Sequence, residues 1–241
     1  MPTLEAWGTT DAGVVRQNNE DAWLLDPALC LAIVADGMGG ASCGEVASAL
    51  AVEIVSNYVR KPPVPWPPAQ LLEEAIQDAN RCVLERANRD ESCSGMGSTI
   101  VAALWELPRM TIANVGDSRA YLWRAGALSQ LSYDQTLVNE LRLRFGLTEE
   151  EVSNFPHRNV LTMAVGTTPN LLVRIHEETL TPGDQVLLCS DGLSGPMGDA
   201  EIASVLSRLA PIPELVGQLI EGAKAAGGPD NITAVLLRYS E

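Results

Sequence analysis

Acidic residues stand beside apolar runs throughout this chain. Asp36-Gly37 closes the run Cys30 to Ala35, Gly116-Asp117 closes Met110 to Val115, and Asp191-Gly192 closes Gln185 to Cys189. Gly228-Pro229-Asp230-Asn231 opens the last apolar run, and Asn18-Asn19-Glu20-Asp21 opens an early one. Taken singly, each is an ordinary turn on a solvated loop. Taken together, they lie where a sheet can bring several carboxylates to one end of a rigid core. Acids held close repel one another unless protons or cations offset the charge. With no His or Cys in the acidic turns themselves, an all-oxygen set suits Mg²⁺ or Mn²⁺ with water completing the shell. A glycine beside an acid also lets a bulky substrate approach. The spacing of a calcium EF-hand is absent, while a purely structural ion stays open as an alternative. Asp36-Gly37-Met38-Gly39-Gly40 lacks the Gly-Lys-Ser/Thr ending of a phosphate-binding loop, and its leading acid fits metal better than phosphate.

The elements that must position these acids follow from hydrophobic periodicity. Thr3 to Thr9, Ala22 to Leu25 and Cys30 to Ala35 read as strands, the last buried on both faces. Ser42 to Glu45 has the form of a capping box for a helix reaching Tyr58. Prolines 62, 63, 65, 67 and 68 make a stiff connector to a second amphipathic helix with the stripe Leu72, Ala75, Ile76, Ala79 and Val83. Short strands are expected at 99–105, 110–115, 120–123 and 127–131, with Arg124-Ala125-Gly126 as a hairpin turn. Residues 137–145 and 148–152 read as helical, 171–175 and 185–189 as strands, 201–209 and 213–226 as helices, and 232–239 as a closing strand. Strands in the middle with helices at both ends indicate one α+β domain over residues 1–241, with helices covering a mostly antiparallel sheet system.

Composition narrows the function. Sixteen Lys+Arg against 31 Asp+Glu leave a formal charge of −15, whose field opposes nucleic acid and anionic membranes. No apolar run approaches the ~20 residues of a membrane span, and no signal peptide is visible at the start. The odd set Cys30, Cys43, Cys82, Cys93 and Cys189, without a C-x-x-C, reads as a reducing cytoplasmic protein free of structural disulfides, with Cys30 and Cys189 as small buried apolar groups. His157 and His176 alone exclude a His-rich metal site.

Six motifs, in this order, resemble the metal-dependent serine/threonine protein phosphatases of type 2C, the PPM family, in their compact bacterial form. They are Arg16-Gln17-Asn18-Asn19-Glu20-Asp21, Val34 to Gly40, Gly97-Ser98-Thr99, Val115-Gly116-Asp117-Ser118-Arg119, Ser190-Asp191-Gly192-Leu193 and Gly228 to Thr233. The resemblance runs from about Thr9 to Leu237. It implies a four-layer αββα sandwich, two antiparallel sheets flanked by helix pairs. It also implies that Asp36 bridges two Mn²⁺ or Mg²⁺ ions, and that Asp191 and Asp230 complete the protein ligands of one. The Gly37 carbonyl would bind the other, with Glu20 acting through water and Asp21 supporting that shell. Asp117 with Asp191 would hold a third ion, and Arg16 would bind the substrate phosphate. Metal-activated water would then hydrolyse phosphoserine or phosphothreonine in line. The implied partners are phosphorylated proteins and opposing Ser/Thr kinases, with no nucleic acid and no membrane, for a cytoplasmic monomer.

The chain departs from the family at several positions. Met38 and Ala41 stand where relatives carry His, and Asp134-Gln135-Thr136 stands for Asp-His-Ser. Phe155 to Met163 replaces a segment that usually begins His-Pro and ends in Arg. His157 lies near that stretch and reads as a solvated loop residue. Residues 134–168 correspond to the family's flap, with Gly146 and Gly166 as hinges. Arg142, Arg144 and Arg158 there either meet phosphopeptide or pair with Glu149, Glu150 and Glu151. The missing histidines leave room for a non-catalytic phosphoprotein-binding member, and a dedicated anti-sigma-factor-antagonist phosphatase keeps the same chemistry on a narrower substrate.

Overall fold

The computed structural model describes residues 3–39, 43–148, 151–152, 155 and 160–240. Ser42 of the expected capping box, Gly40, Ala41, Glu149, Glu150, His157 and Arg158 lie outside the described residues. One antiparallel sheet has the order β1 (Thr3–Asp11), β11 (Ile232–Ser240), β10 (Gln185–Cys189), β7 (Arg119–Arg124) and β8 (Ala127–Gln130). The second runs β2 (Asp21–Asp26), β3 (Leu31–Met38), β5 (Ile100–Glu106), β6 (Arg109–Val115) and β9 (Arg174–Thr179), with the short β4 (Gly97–Ser98) paired to β3. Helices α1 (Cys43–Arg60) and α2 (Pro68–Arg89) cover the second sheet. Helices α5 (Asp199–Leu206) and α6 (Ile212–Ala225) cover the first. The connection between β8 and β9 contributes α3 (Leu137–Phe145), and the short α4 (Asp191–Ser194) follows β10. The expected four-layer αββα sandwich is therefore the observed one.

Alternation along the strands sorts side chains into three cores. In β3, Leu31, Ile33 and Ala35 meet the helices, while Ala32 and Val34 meet the other sheet. In β10, Leu187 and Cys189 face α5 and α6, while Val186 and Leu188 face inward. In β11, Ala234 and Leu236 face the helices, and Val235 and Leu237 face inward. These runs are buried on both faces because each sheet is covered on both sides. Carried two positions further, the inward parity reaches Asp36 after Val34, Ser190 after Leu188 and Thr233 before Val235. It likewise reaches Asp21 before Trp23, Thr99 before Val101 and Ser118 before Ala120. The inter-sheet core thus turns polar at one end on six strands at once.

Four expectations need correction. Cys43 and Cys93 form a disulfide, with Cα atoms 5.4 Å apart. The prolines turn the chain back so sharply that α2 returns along α1, and the turn after α2 (Glu91–Cys93) meets the start of α1. Spacing along the sequence could not reveal that meeting. The free cysteines are Cys30, Cys82 and Cys189, and Cys30 is a partly exposed turn residue with φ 54° rather than a core residue. Residues 171–173 are not strand. Leu171 and Val173 are buried, but side-chain amides take the backbone carbonyls there: Gln77 donates to Leu171 O at 2.9 Å and Gln135 to Leu172 O at 2.8 Å. β9 starts only at Arg174. Gly166 is not a free hinge, since its N–H donates to Asn80 Oδ1 at 2.7 Å and a Cβ there would overlap Val83. Gly146 does end α3 in the left-handed region, at φ 70° with open space around it.

The disulfide closes a loop of 50 residues. Reduction, or Cys93→Ser, is expected to lower unfolding free energy by about 4 kcal/mol through the freed unfolded chain. Denaturant melts with alkylation to report thiol state check this; an unchanged midpoint contradicts it.

Candidate metal and phosphate site

Asp21 and Asp36 are direct cross-strand partners in β2 and β3, so their side chains share the inter-sheet face. Asp21 is held from the other sheet: Ser190 Oγ and Thr233 Oγ1 donate to its Oδ2 at 2.8 and 2.6 Å. Its Oδ1 is buried without a hydrogen-bond partner among the described residues. Burial pushes the Asp21 carboxyl up to about 6, against the two hydroxyl bonds and with Asp191 and Asp230 adding to the rise. Asp36 is raised well above the usual carboxylate range by burial first, then by Asp21, Asp191, Asp117 and Asp230. Asp191 is raised by burial first and then by Asp230, with Asp36, Arg119 and Arg16 acting the other way. Asp117 is pushed up to about 7 by burial, Asp191 and Asp134.

Each acid is aimed by its local chain. The N–H of Asp36 donates to Thr99 Oγ1 at 3.0 Å, and that hydroxyl lies 2.6 Å from Ser118 Oγ, beside Asp117. Asp191 opens α4, its carboxylate in the first helical turn. Gly192 lets α4 lie against the Asp230-Asn231 segment, because a Cβ would overlap the Asn231 carbonyl oxygen. Asn231 staples the loop before β2: its Oδ1 accepts from Glu20 N at 2.8 Å, and its Nδ2 donates to Ala12 O and Asn18 O at 3.1 and 2.8 Å. Gly37 and Gly44 make room at the start of α1, where a Cβ on Gly44 would overlap Glu20 Oε2 and Gly37 O. Glu20 is raised by burial, against Arg16, with help from Asp230 and Glu45. Arg16 is exposed at the rim and donates to Asp230 Oδ2 at 2.8 Å.

All eight site positions expected from the sequence therefore fall in one region. Arg16 is paired with an acid there rather than pointing free. Among the described residues, no three His, Cys, Asp or Glu side chains already stand as a closed ligand set. The acids converge, and burial with mutual repulsion raises the pKa of Asp21, Asp36, Asp117 and Asp191. The donor set nevertheless fits hard divalent cations: it is all oxygen, it includes the buried, unpartnered Asp21 Oδ1, and its charge is otherwise tolerated only by protonation. A cleft of about 530 Å³ leads from Asp117 and Asp191 to Thr136, Val138, Asn139, Arg142 and Val152. Arg144 stacks over Phe145, its guanidinium carbon 5.6 Å from the ring centroid, and Glu151 accepts from Thr148 N and Oγ1. Ser190, Thr233, Thr99, Ser118 and Asn231 carry roles that motif spacing alone does not disclose; strand parity was the available signal.

Proton uptake by these acids fixes a sign. Asp117 and Asp21 bind protons more tightly in the folded chain than unfolded carboxyls do, so the metal-stripped fold gains stability below about pH 4 and loses it as pH rises through 6 to 7. Thermal melts in chelator are expected to fall from pH 5 to pH 8, with a smaller fall in Asp117→Asn. Equal slopes in both proteins would contradict this.

A two-sheet sandwich that gathers carboxylates at one end of the inter-sheet core offers an all-oxygen donor set suited to hard divalent cations. Residues 11–235 match the family model described as Protein phosphatase 2C. The serine/threonine phosphatase stp of Listeria innocua is 34% identical over 234 residues, 95% of this chain and 93% of that one. The crystal structure of the Mycobacterium tuberculosis serine/threonine phosphatase PstP/Ppp superposes with a TM-score of 0.91 at 33% identity, covering 99% of both chains. The catalytic domain of the serine/threonine protein phosphatase PstP in complex with two manganese ions superposes with a TM-score of 0.89 at 32% identity, covering all of both. The chain belongs to the protein phosphatase 2C family.

Proposed function

We propose that this protein is a Mn²⁺- or Mg²⁺-dependent phosphatase that hydrolyses phosphoserine and phosphothreonine in proteins and so opposes Ser/Thr kinases. The observation that carries the reading is the convergence of Asp36, Asp191, Asp117 and Asp230 from four chain segments, with Asp36, Asp117 and Asp191 raised in pKa by burial and by neighbouring acids. Asp36 would bridge two cations, with Asp191 and Asp230 on one and the Gly37 carbonyl, Glu20 and Asp21 toward the other. Asp117 and Asp191 would hold a third. Bound there, divalent cations neutralise phosphoryl oxygens and acidify a water for attack on phosphorus. Arg16, with one donor on Asp230, keeps further N–H groups for the phosphate at the rim. The start of α4 adds a helix N-terminus beside Asp191. Met38 offers no proton to the leaving oxygen, and His176, the histidine among the described residues, lies on β9 beside Glu178. Water protonates the leaving group in this account, so aryl phosphates turn over faster than seryl ones. We propose the segment 134–168 as the flap over the substrate.

Among the described residues no helix is long and apolar enough to cross a membrane. The cytoplasmic setting rests on the substrate, phosphorylated proteins, since the Cys43–Cys93 pair removes the cysteine argument for it. A monomer meets every requirement of the site. The test is hydrolysis of p-nitrophenyl phosphate and a phosphothreonine peptide with Mn²⁺, before and after EDTA. Phosphopeptide binding without turnover would favour the non-catalytic alternative.

A further inference from the structure

The position where relatives carry the histidine of Asp-His-Ser is Gln135, and its contacts give it a definite task. Gln135 is 3% exposed. Its side-chain Oε1 accepts from Gly116 N at 2.9 Å, and its backbone N donates to Gly116 O at 3.0 Å. Both polar groups of the residue preceding Asp117 are therefore held by one residue. Its Nε2 donates to Leu172 O at 2.8 Å, and its carbonyl accepts from Thr162 N at 2.8 Å. Thr136, next in sequence, caps α3 through its hydroxyl, and Asn139 donates back to Asp134 O at 2.8 Å. Gln135 is thus the point where the entry to the flap, its return arm and the turn bearing Asp117 meet.

That turn has no freedom of its own. Gly116 takes φ 89°, a backbone state other residues rarely adopt, and lies against Thr99, whose hydroxyl receives the Asp36 N–H. A displacement of Gly116 therefore moves Asp117 directly and presses on the group that orients Asp36.

We propose that Gln135 is a positioning residue that sets the Asp117 carboxylate against Asp191 and couples it to the conformation of the flap. The amide suits the task because it offers one acceptor to Gly116 and one donor to Leu172, the same inventory that a neutral imidazole provides. The inference rests on the phosphatase reading only in taking Asp117 as a cation ligand. Groups that orient ligands in this way change metal affinity by about 10- to 100-fold when removed.

The experiment uses the full chain, stripped with chelator, in calorimetric Mn²⁺ titrations and amide hydrogen exchange. Gln135→Glu keeps the shape and the acceptor but loses the donor to Leu172 O. It is expected to weaken the loosest Mn²⁺ site about tenfold and to speed exchange of the Gly116 amide. Gln135→His is expected to stay within about threefold of the parent, which keeps the idea testable if the charged variant folds poorly. In an Asp117→Asn background, Gln135→Glu is expected to add no further loss of Mn²⁺ affinity. Equal losses with and without Asp117, or unchanged affinity and Gly116 exchange in Gln135→Glu, would overturn the assignment. Failure of the parent chain to bind Mn²⁺ at all would instead remove the phosphatase reading beneath it.

Discussion

Asp36→Asn is expected to reduce Mn²⁺-dependent turnover below about a thousandth of the parent rate while leaving the fold intact. The argument is local. Asp36 is the acid on which Asp21, Asp191, Asp117 and Asp230 all act, so it stands at the centre of the set. An amide keeps the size of the side chain and its place after Val34 in β3 but removes the charge that could bridge two cations. Stability should not fall, because the buried like charges it relieves are unfavourable without metal. In chelator, the variant is expected to melt at or above the parent temperature. Retained turnover, or a variant that melts well below the parent, would show that Asp36 serves packing instead.

Gly192→Ala is expected to cost about 3 kcal/mol and to lose activity with it. The added methyl would overlap the Asn231 carbonyl oxygen, a backbone atom fixed by β11 and by the Asn231 side chain. Neither partner can turn away, so α4 must shift and carry Asp191 off Asp36 and Asp230. Gly217→Ala is the control. It lies in α6 with no heavy atom near its would-be Cβ, and there alanine should stabilise by about 0.5–1 kcal/mol. Denaturant midpoints of the two variants give the comparison; similar effects in both would mean that close approach at Gly192 has no special role.

The elements that position the site were mostly legible because hydrophobic periodicity reports them directly. Leu137–Phe145 and Gln185–Cys189 begin and end where the pattern says. The acids were legible as a set because each borders a strand. Less visible were features decided by three-dimensional meeting. Leu171 and Val173 look like strand residues, yet Gln77 and Gln135 claim the intervening carbonyls. Cys43 and Cys93 meet only because α2 folds back on α1. The hydroxyls of Ser190 and Thr233 continue the inward alternation of their strands, but nothing along the chain says that both reach Asp21. Gln135 looked like a lost histidine, whereas its two bonds give it a partner on each side.

The most direct measurement is a calorimetric titration of Mn²⁺ into chelator-stripped protein, in buffers of different ionisation enthalpy so that released protons are counted. The account predicts at least two ions per chain, protons expelled on binding near neutral pH, and loss of that binding in Asp36→Asn. Binding of equal stoichiometry in Asp36→Asn, or no Mn²⁺ bound by the parent chain, would contradict it.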